Sequence, residues 1–263
     1  MYSGSRLRWH LRPVRRLLHE PICRYRHHAF APTDVVIASY PRSGSTWLTM
    51  MLAELVTAED LGFGALDELV PTVDRLRHSP GDRRNGRGLV RTHERRRPEY
   101  RRSVYVVRDV RDVVVSYFHY RRWLGEYRGD LERFVRMFLS GRVDSYGTWM
   151  AHVRSWLPDP GPSTLIVRFE DLRADPAAVL GRLAAFVGAG EVSPAAVQAV
   201  VERNAVAGMR AKEVSAFGDR SAASGSRFVR EGAAGGWRDV LTPVSVELVE
   251  REAGDAMRQA GYA

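Results

Sequence analysis

The sequence is poor in several residue types, and each absence excludes a class of protein. It has one cysteine, Cys23, so an intramolecular disulfide and a metal site built from several cysteines are both excluded. It has no run of about 18 apolar residues, which predicts no transmembrane helix, and no apolar signal core near its start. Lysine is nearly absent, since Lys212 is the only one. These absences predict an intracellular protein, located in the cytoplasm.

The chain is long enough and apolar enough to bury a core. It has 263 residues, of which 44% are hydrophobic, and a formal net charge of +9. This length suits one large α/β domain or two small ones, and the composition argues against disorder throughout. The positive charge favours anionic partners: nucleotides, phosphates, nucleic acid or a membrane surface. It does not choose among them.

Residues 1–30 differ from the rest in composition. They contain seven arginines and four histidines, and Leu7, Leu11, Val14 and Leu18 recur at helical spacing. A basic amphipathic helix can contact an anionic membrane surface, or it can dock on the protein as a solvated helix. The sequence therefore predicts a basic N-terminal extension, residues 1–30, followed by one domain, residues 31–263.

Four apolar runs alternate with helical patterns along that domain. The runs predict strands at 35–39, 88–92, 103–107 and 164–169. The clearest helical patterns lie at 46–56, 112–123, 145–157, 176–187, 194–206 and 244–257. Strands that alternate with helices predict an α/β fold, with a central parallel sheet covered by helices on both faces. Residues 210–236 have few apolar side chains and predict a long loop that can act as a lid.

The segment VVIASYPRSGSTWL joins the first strand to the first helix through a short loop. Amides of Gly44, Ser45 and Thr46 at a helix N-terminus would bind an anion such as phosphate. Ser43 adds a hydroxyl group and Arg42 a fixed positive charge. The loop lacks the G-x-x-x-x-G-K-[ST] spacing of the common nucleotide-hydrolysing version. An ordinary strand–turn–helix with a serine N-cap is the alternative.

Two further stretches carry arginines that can bind a second phosphate. In YVVRDVRDVVVSYFHY, Arg108 ends a predicted strand and Ser116 lies in the following helix, which places both at the carboxyl edge of the sheet. In RFVREGAAGGW, Arg230 precedes a glycine-rich tract that can close over a ligand. Surface ion pairs and a plain flexible loop are the respective alternatives.

A histidine follows the strand in GLVRTH. His93 would lie at the same carboxyl edge, and histidine is the side chain best suited to move protons near neutral pH. A structural role is the alternative. His119 and His152 compete with it, but both fall within helical patterns.

These stretches, in this order, resemble the sulfotransferases that use 3′-phosphoadenosine 5′-phosphosulfate (PAPS). YPRSGSTW is similar to the family's Y-P-K-S-G-T-T-W, and RFVREGAAGGW to its R-K-G-x-x-G-D-W. Two further stretches, SYGTWMAHVRSW and FEDLRADP, also match motifs that are usual in that family. The resemblance implies a P-loop-like sulfotransferase domain over residues 31–263. It also implies transfer of a sulfuryl group from PAPS to a hydroxyl of a small molecule or glycan, without a metal.

The resemblance further implies roles for particular residues. His93 would be the catalytic base, and Arg42 would stabilise charge on the leaving group. The implied cofactor-binding residues are Arg42, Ser43, Gly44, Ser45, Thr46, Trp47, Arg108, Ser116, Phe169, Asn204, Phe228, Arg230 and Gly232. Arg42 replaces the family's usual lysine, and arginine does not readily donate a proton. Pro243 lies within the segment similar to the family's dimer signature, so a homodimer is compatible with the sequence but not specified by it.

Two alternatives come from other classes. A P-loop kinase would need a lysine in the opening loop and carboxylates for Mg²⁺. A non-catalytic nucleotide- or nucleic-acid-binding protein is suggested by the arginine-rich N-terminus and by RTHERRRPEYRR. The leading interpretation expects no nucleic-acid partner.

Overall fold

The four apolar runs pair into one parallel sheet. The computed structural model describes residues 30–31, 33–73, 88–158, 163–218 and 226–262. Its strands are β1 (Val35–Ser39), β2 (Leu89–Thr92), β3 (Arg102–Val107) and β4 (Thr164–Arg168), in the order β2-β1-β3-β4. Each neighbouring pair is parallel. The carboxyl ends of β1 and β2 therefore meet at one edge, with Ala38 opposite Thr92.

Helices cover both faces of this sheet. They are α1 (Ser45–Thr57), α2 (Phe63–Leu69), α3 (Val110–Trp123), α4 (Leu131–Leu139), α5 (Trp149–Trp156), α6 (Phe169–Ala174), α7 (Pro176–Val187), α8 (Pro194–Arg203), α9 (Val206–Phe217) and α10 (Pro243–Gln259). A 3-10 turn, Gly236–Asp239, precedes α10.

The apolar strands require this two-sided cover because successive side chains of a strand point to opposite faces. Val36 and Tyr105 pack with α3, α4, α5 and α10 in one buried cluster. Ile37 and Val104 pack with α1, α7 and α8 in another. The predicted α/β class, with a parallel sheet between two helical layers, is confirmed.

The predicted loop over residues 210–236 is wrong in its first part. Residues up to Phe217 form the last part of α9, and Gly218 is its C-cap. Met209 is buried with Phe63, and the ring of Phe217 lies 5.5 Å from that of Phe63. The other inward contacts of α9 are made by charged side chains, so its hydrophobic periodicity is weak and the sequence pattern did not reveal it.

Smaller differences have local causes. The helix predicted from residue 145 begins at Trp149, because Gly147 takes a left-handed φ of 82° and the Thr148 side chain caps the helix by accepting from Ala151 N. The predicted extension, residues 1–30, lies outside the described residues apart from Phe30. None of the helices within the described ranges combines the length and apolar character needed to cross a membrane.

The turn between β1 and α1 packs against an aromatic ring. Arg42 and Gly44 both adopt left-handed backbone, with φ of 72° and 94°. A Cβ at Gly44 would lie 2.4 Å from a ring carbon of Phe169, the first residue of α6. Only glycine satisfies both the dihedral angle and this contact.

His152 is a core residue rather than a competing base. It is completely buried on α5, with Nδ1 3.1 Å from the hydroxyl of Tyr105 and its ring stacked on the Tyr105 ring. Burial lowers its pKa to about 3. The imidazole therefore stays neutral in the folded protein at pH values where an unfolded histidine is protonated.

We expect Gly44→Ala to lower the free energy of unfolding by about 1–3 kcal/mol, because alanine is strained at this φ and its methyl group clashes with the Phe169 ring. Urea unfolding followed by circular dichroism measures the change. Gly181→Ala in α7 is the control. Among the described residues, no atom from outside this part of the helix lies within 4 Å of the position that a Cβ would take there. The variant should therefore keep or raise stability, by up to about 1 kcal/mol. Equal stability of the two variants would contradict the contact.

We expect the free energy of unfolding to fall as the pH drops below about 6.5. The unfolded state then binds a proton that His152 does not take up when folded. The contribution of this residue is about 2 kcal/mol between pH 7 and pH 5. His152→Asn should lose less stability over that interval in paired urea titrations. The same loss in both proteins would refute the assignment.

Candidate functional site

The loop after β1 presents backbone N–H groups at the start of α1. The first helical hydrogen bonds run from Trp47 N and Leu48 N to Gly44 O, at 3.1 and 3.2 Å. The amides of Gly44, Ser45 and Thr46 precede them, where a helix has no carbonyls of its own to accept. The Ser43 hydroxyl is buried and has no hydrogen-bond partner among the described residues. These groups form a site that suits an anion.

His93 lies beside this loop in a defined tautomer. It follows β2, and its Nδ1 is 2.8 Å from the carbonyl oxygen of Ser39, the last residue of β1. A carbonyl only accepts, so Nδ1 must carry the proton, and in the neutral ring the lone pair is on Nε2. The Tyr146 ring contacts the imidazole edge to face, with centroids 5.5 Å apart. The geometry suits a general base that acts through Nε2.

Arg42 turns from the loop toward α3. Its Nε donates to the Ser116 hydroxyl at 3.3 Å, and its terminal nitrogen donates to the Phe228 carbonyl at 2.9 Å. The guanidinium lies between the rings of Tyr120 and Phe228, 4.6 and 4.7 Å from their centroids. Burial, with repulsion from neighbouring arginines, lowers the pKa of Arg42 to about 10, so it remains charged at neutral pH. It joins the loop to α3 and to the segment around residue 228.

Three arginines converge at this edge of the sheet. Arg108 donates to the Ala233 carbonyl at 2.7 Å and lies 4.1 Å from the Phe169 ring centroid, and its Nε has no hydrogen-bond partner among the described residues. Burial lowers the pKa of Arg108 and of Arg230. The positive charges of Arg108 and Arg230 also lower the pKa of Arg42, and that of Arg230 lowers the pKa of Arg108. A bound anion would relieve that repulsion.

Asp112 holds the glycine-rich segment in place. Its carboxylate accepts from Gly235 N at 2.7 Å and from Trp237 N at 3.0 Å. The residue is buried in the first turn of α3, 3.7 Å from the Arg108 guanidinium. The sequence suggested a surface ion pair as one alternative here. The structure shows instead a buried carboxylate that binds the backbone of a segment more than 120 residues away.

Trp47 and Phe169 form an aromatic pair next to the loop. Their ring centroids are 6.3 Å apart, and the indole N–H donates to the backbone carbonyl of Asn204 at 2.8 Å. Asn204 is fully buried: its amide nitrogen donates to Glu54 at 2.6 Å, and its side-chain oxygen has no hydrogen-bond partner within the described part of the chain. Phe228 lies elsewhere, with its ring against Arg42 and the Phe63 ring.

The structure thus brings most of the predicted site residues to one edge of the sheet, in three groups. The first is the loop with His93, the second is Arg108, Ser116 and Arg230, and the third is the Trp47 pair. Gly232 adopts a left-handed φ of 59° in the segment that carries Arg230. No group of three or more residues suited to metal binding occurs in the described ranges.

Known proteins share both the sequence pattern and this architecture. Residues 32–261 match the family model of the sulfotransferase domain. Sulfotransferase 1A1 of Bos taurus is 28% identical, over 83% of this chain and 81% of that protein. A crystal structure of retinol dehydratase in complex with androsterone and the inactive cofactor PAP superposes with a TM-score of 0.70 at 23% identity, covering 90% of this chain and 85% of that one. Mouse sulfotransferase SULT7A1 complexed with PAP gives 0.69 at 21% identity, covering 91% and 90%.

The family match covers nearly the whole domain and includes every predicted site residue. The structural neighbours have the same fold, in agreement with the parallel sheet and its helical layers. The predicted family is therefore confirmed: the chain belongs to the sulfotransferases.

Proposed function

We propose that this sulfotransferase takes a sulfuryl group from PAPS and delivers it to a hydroxyl of a small-molecule acceptor with an apolar body. One observation carries the proposal. His93, in the tautomer that suits a base, is hydrogen-bonded to the last residue of β1, directly before an anion-binding loop. The proposed base and the anion-binding loop are thereby held next to each other. The PAP named in the two neighbouring complexes supports the choice of donor.

The residues present fit a nucleotide with two anionic ends. The amides of residues 44–46 and the unpartnered Ser43 hydroxyl suit the 5′-phosphosulfate. Arg108, Ser116 and Arg230 suit the 3′-phosphate. The Nε–H group of Arg108 has no hydrogen-bond acceptor among the described residues, so it is available to donate to that phosphate. The pair formed by Trp47 and Phe169 suits the flat adenine ring. PAPS, when bound, would supply an activated sulfuryl group.

The protein's own steps follow from this arrangement. Nε2 of His93 takes the proton of the acceptor hydroxyl as its oxygen attacks sulfur. The Nδ1–H bond to the Ser39 carbonyl keeps the ring oriented and stabilises the imidazolium that forms. Arg42 stabilises negative charge on the oxygen that departs from sulfur. Its pKa of about 10 keeps it protonated at neutral pH, so it presents a positive charge to that oxygen.

The acceptor class rests on an aromatic group next to Arg42. Rings of Phe63, Tyr120, Trp123, Phe217 and Phe228 pack against one another there. An acceptor bound beside these rings would meet an apolar surface, which favours an apolar acceptor over a polar glycan. The androsterone and retinol named in complexes of retinol dehydratase are apolar alcohols. The cytoplasmic location, the domain boundary at residue 31, membrane contact by residues 1–30 and a homodimer remain predictions from the sequence.

We expect His93→Ala to lose at least about 100-fold in turnover, with PAP affinity within a few-fold of the wild type. Turnover is measured with radiolabelled PAPS against phenols, sterols and sugars, and affinity by titration calorimetry with PAP. His93→Asn is the matched variant: its amide can still donate to the Ser39 carbonyl, yet it offers no base, so it should be equally inactive. No binding of PAP by the wild type would refute the donor. An active His93→Asn would refute the base, and turnover with sugars alone would refute the acceptor class.

We expect Arg42→Met to lower kcat by about 100-fold or more, because the charge next to the leaving group is lost. Arg42→Lys keeps that charge and should retain most of the activity. Steady-state kinetics on both variants at saturating PAPS test this. Similar kcat values for Arg42→Met and the wild type would remove Arg42 from the mechanism.

A further inference from the structure

The backbone of residues 228–230 is held by side chains rather than by a helix or a sheet. Both carboxylate oxygens of Glu213 accept: one from Phe228 N at 2.8 Å, the other from Val229 N at 2.9 Å. Arg210, three residues earlier on α9, donates from Nε to the Val229 carbonyl at 3.2 Å and from a terminal nitrogen to the Arg230 carbonyl. We call Arg210 and Glu213 the α9 clamp.

The clamp is an energetically demanding arrangement. Glu213 is only 4% exposed, and a buried carboxylate is costly unless its oxygens are hydrogen-bonded. Both oxygens are satisfied by main-chain amides of the same short segment. A backbone held in this way has little freedom to move, because two amides and two carbonyls are fixed together.

Helix α9, which bears the clamp, is itself fixed to α1, the helix that follows the anion-binding loop. Lys212, the single lysine of the chain, reaches Glu54 of α1 at 2.5 Å and also donates to the Leu61 carbonyl at 2.7 Å. Glu54 is completely buried. The position of α9 is therefore tied to α1, whose first turn forms the anion site.

The segment needs this restraint because of the charge that it carries. Arg230 adds a third positive charge beside Arg42 and Arg108, and this charge lowers the pKa of both. Without a bound anion, this repulsion favours movement of Arg230 away from the other two, and the attraction of Asp112 and Glu231 offsets part of it. The clamp opposes that movement through the neighbouring backbone.

We propose that Glu213 and Arg210 are positioning residues, which hold Arg230 ready for the donor nucleotide. The inference rests on the proposed function, since it takes Arg230 as a 3′-phosphate ligand. Holding the segment before binding lowers the ordering cost of binding. Loss of the clamp should therefore weaken nucleotide affinity more than the chemical step.

The first test is Glu213→Gln, in which an N–H group replaces one acceptor. We expect PAP affinity to fall about tenfold, corresponding to about 1.4 kcal/mol, with KM for PAPS rising in parallel and kcat changing less. Hydrogen exchange at the Phe228 and Val229 amides should speed up. Glu202→Gln is the matched control, because Glu202 is an exposed residue of α8 paired with Gln198. It should leave affinity, kinetics and exchange unchanged.

A double-mutant cycle separates positioning from general stability. Arg230→Ala alone should weaken PAP binding, and adding Glu213→Gln to it should then cost little more, because the clamp acts mainly through Arg230. Arg210→Gln serves as the second variant if Glu213→Gln does not fold, with the same expected pattern.

The outcomes distinguish the two proposals. Unchanged PAP affinity in folded Glu213→Gln or Arg210→Gln, or fully additive losses in the cycle, would overturn the clamp while leaving the nucleotide site intact. Normal PAP binding by Arg230→Ala would overturn the 3′-phosphate assignment, and the clamp with it. Failure of the wild type to bind PAP would refute the proposed donor itself.

Discussion

The ring of Phe169 is the contact on which the arrangement of the site depends. It fills the space where a side chain at position 44 would stand, lies 4.1 Å from the Arg108 guanidinium carbon, and meets Trp47 edge-on. One side chain at the end of β4 thus sets the distances between the anion-binding loop, the second cationic group and the aromatic pair. Because aromatic rings are rigid and protein interiors are closely packed, these three groups cannot shift independently.

Charge is distributed at this edge in a way that favours an anionic ligand. Three arginines approach one another, while two buried carboxylates of this region, Asp112 and Glu213, accept hydrogen bonds from backbone amides. Asp112 lies 3.7 Å from Arg108 and offsets part of its charge, and Glu170 and Glu231 act on Arg108 and Arg230 in the same way. The carboxylates thus serve to shape the loop around the arginines. Arginines that are held together before a ligand binds suit an anionic ligand.

The strands and the loop between β1 and α1 could be predicted from the sequence because their determinants are local. Parallel strands buried on both faces appear as short apolar runs, and a loop of small residues before a helix indicates an anion site. Helix α9 could not be predicted in the same way. Its inward face bears Arg210 and Glu213, whose partners are backbone groups of residues 228–230. Such contacts cannot be predicted from hydrophobic periodicity or from a local motif.

The sequence by itself determined the fold class, the family and the position of the loop between β1 and α1, since each follows from short-range patterns or from motifs in order. Only the tertiary structure decided how they are used. The tautomer of His93 depends on a carbonyl of the neighbouring strand, and the direction of Arg42 depends on Ser116 and Phe228. These partners are 54, 74 and 186 residues distant along the chain. Which groups meet over such separations is set by how the layers pack, and packing is a property of the whole folded chain.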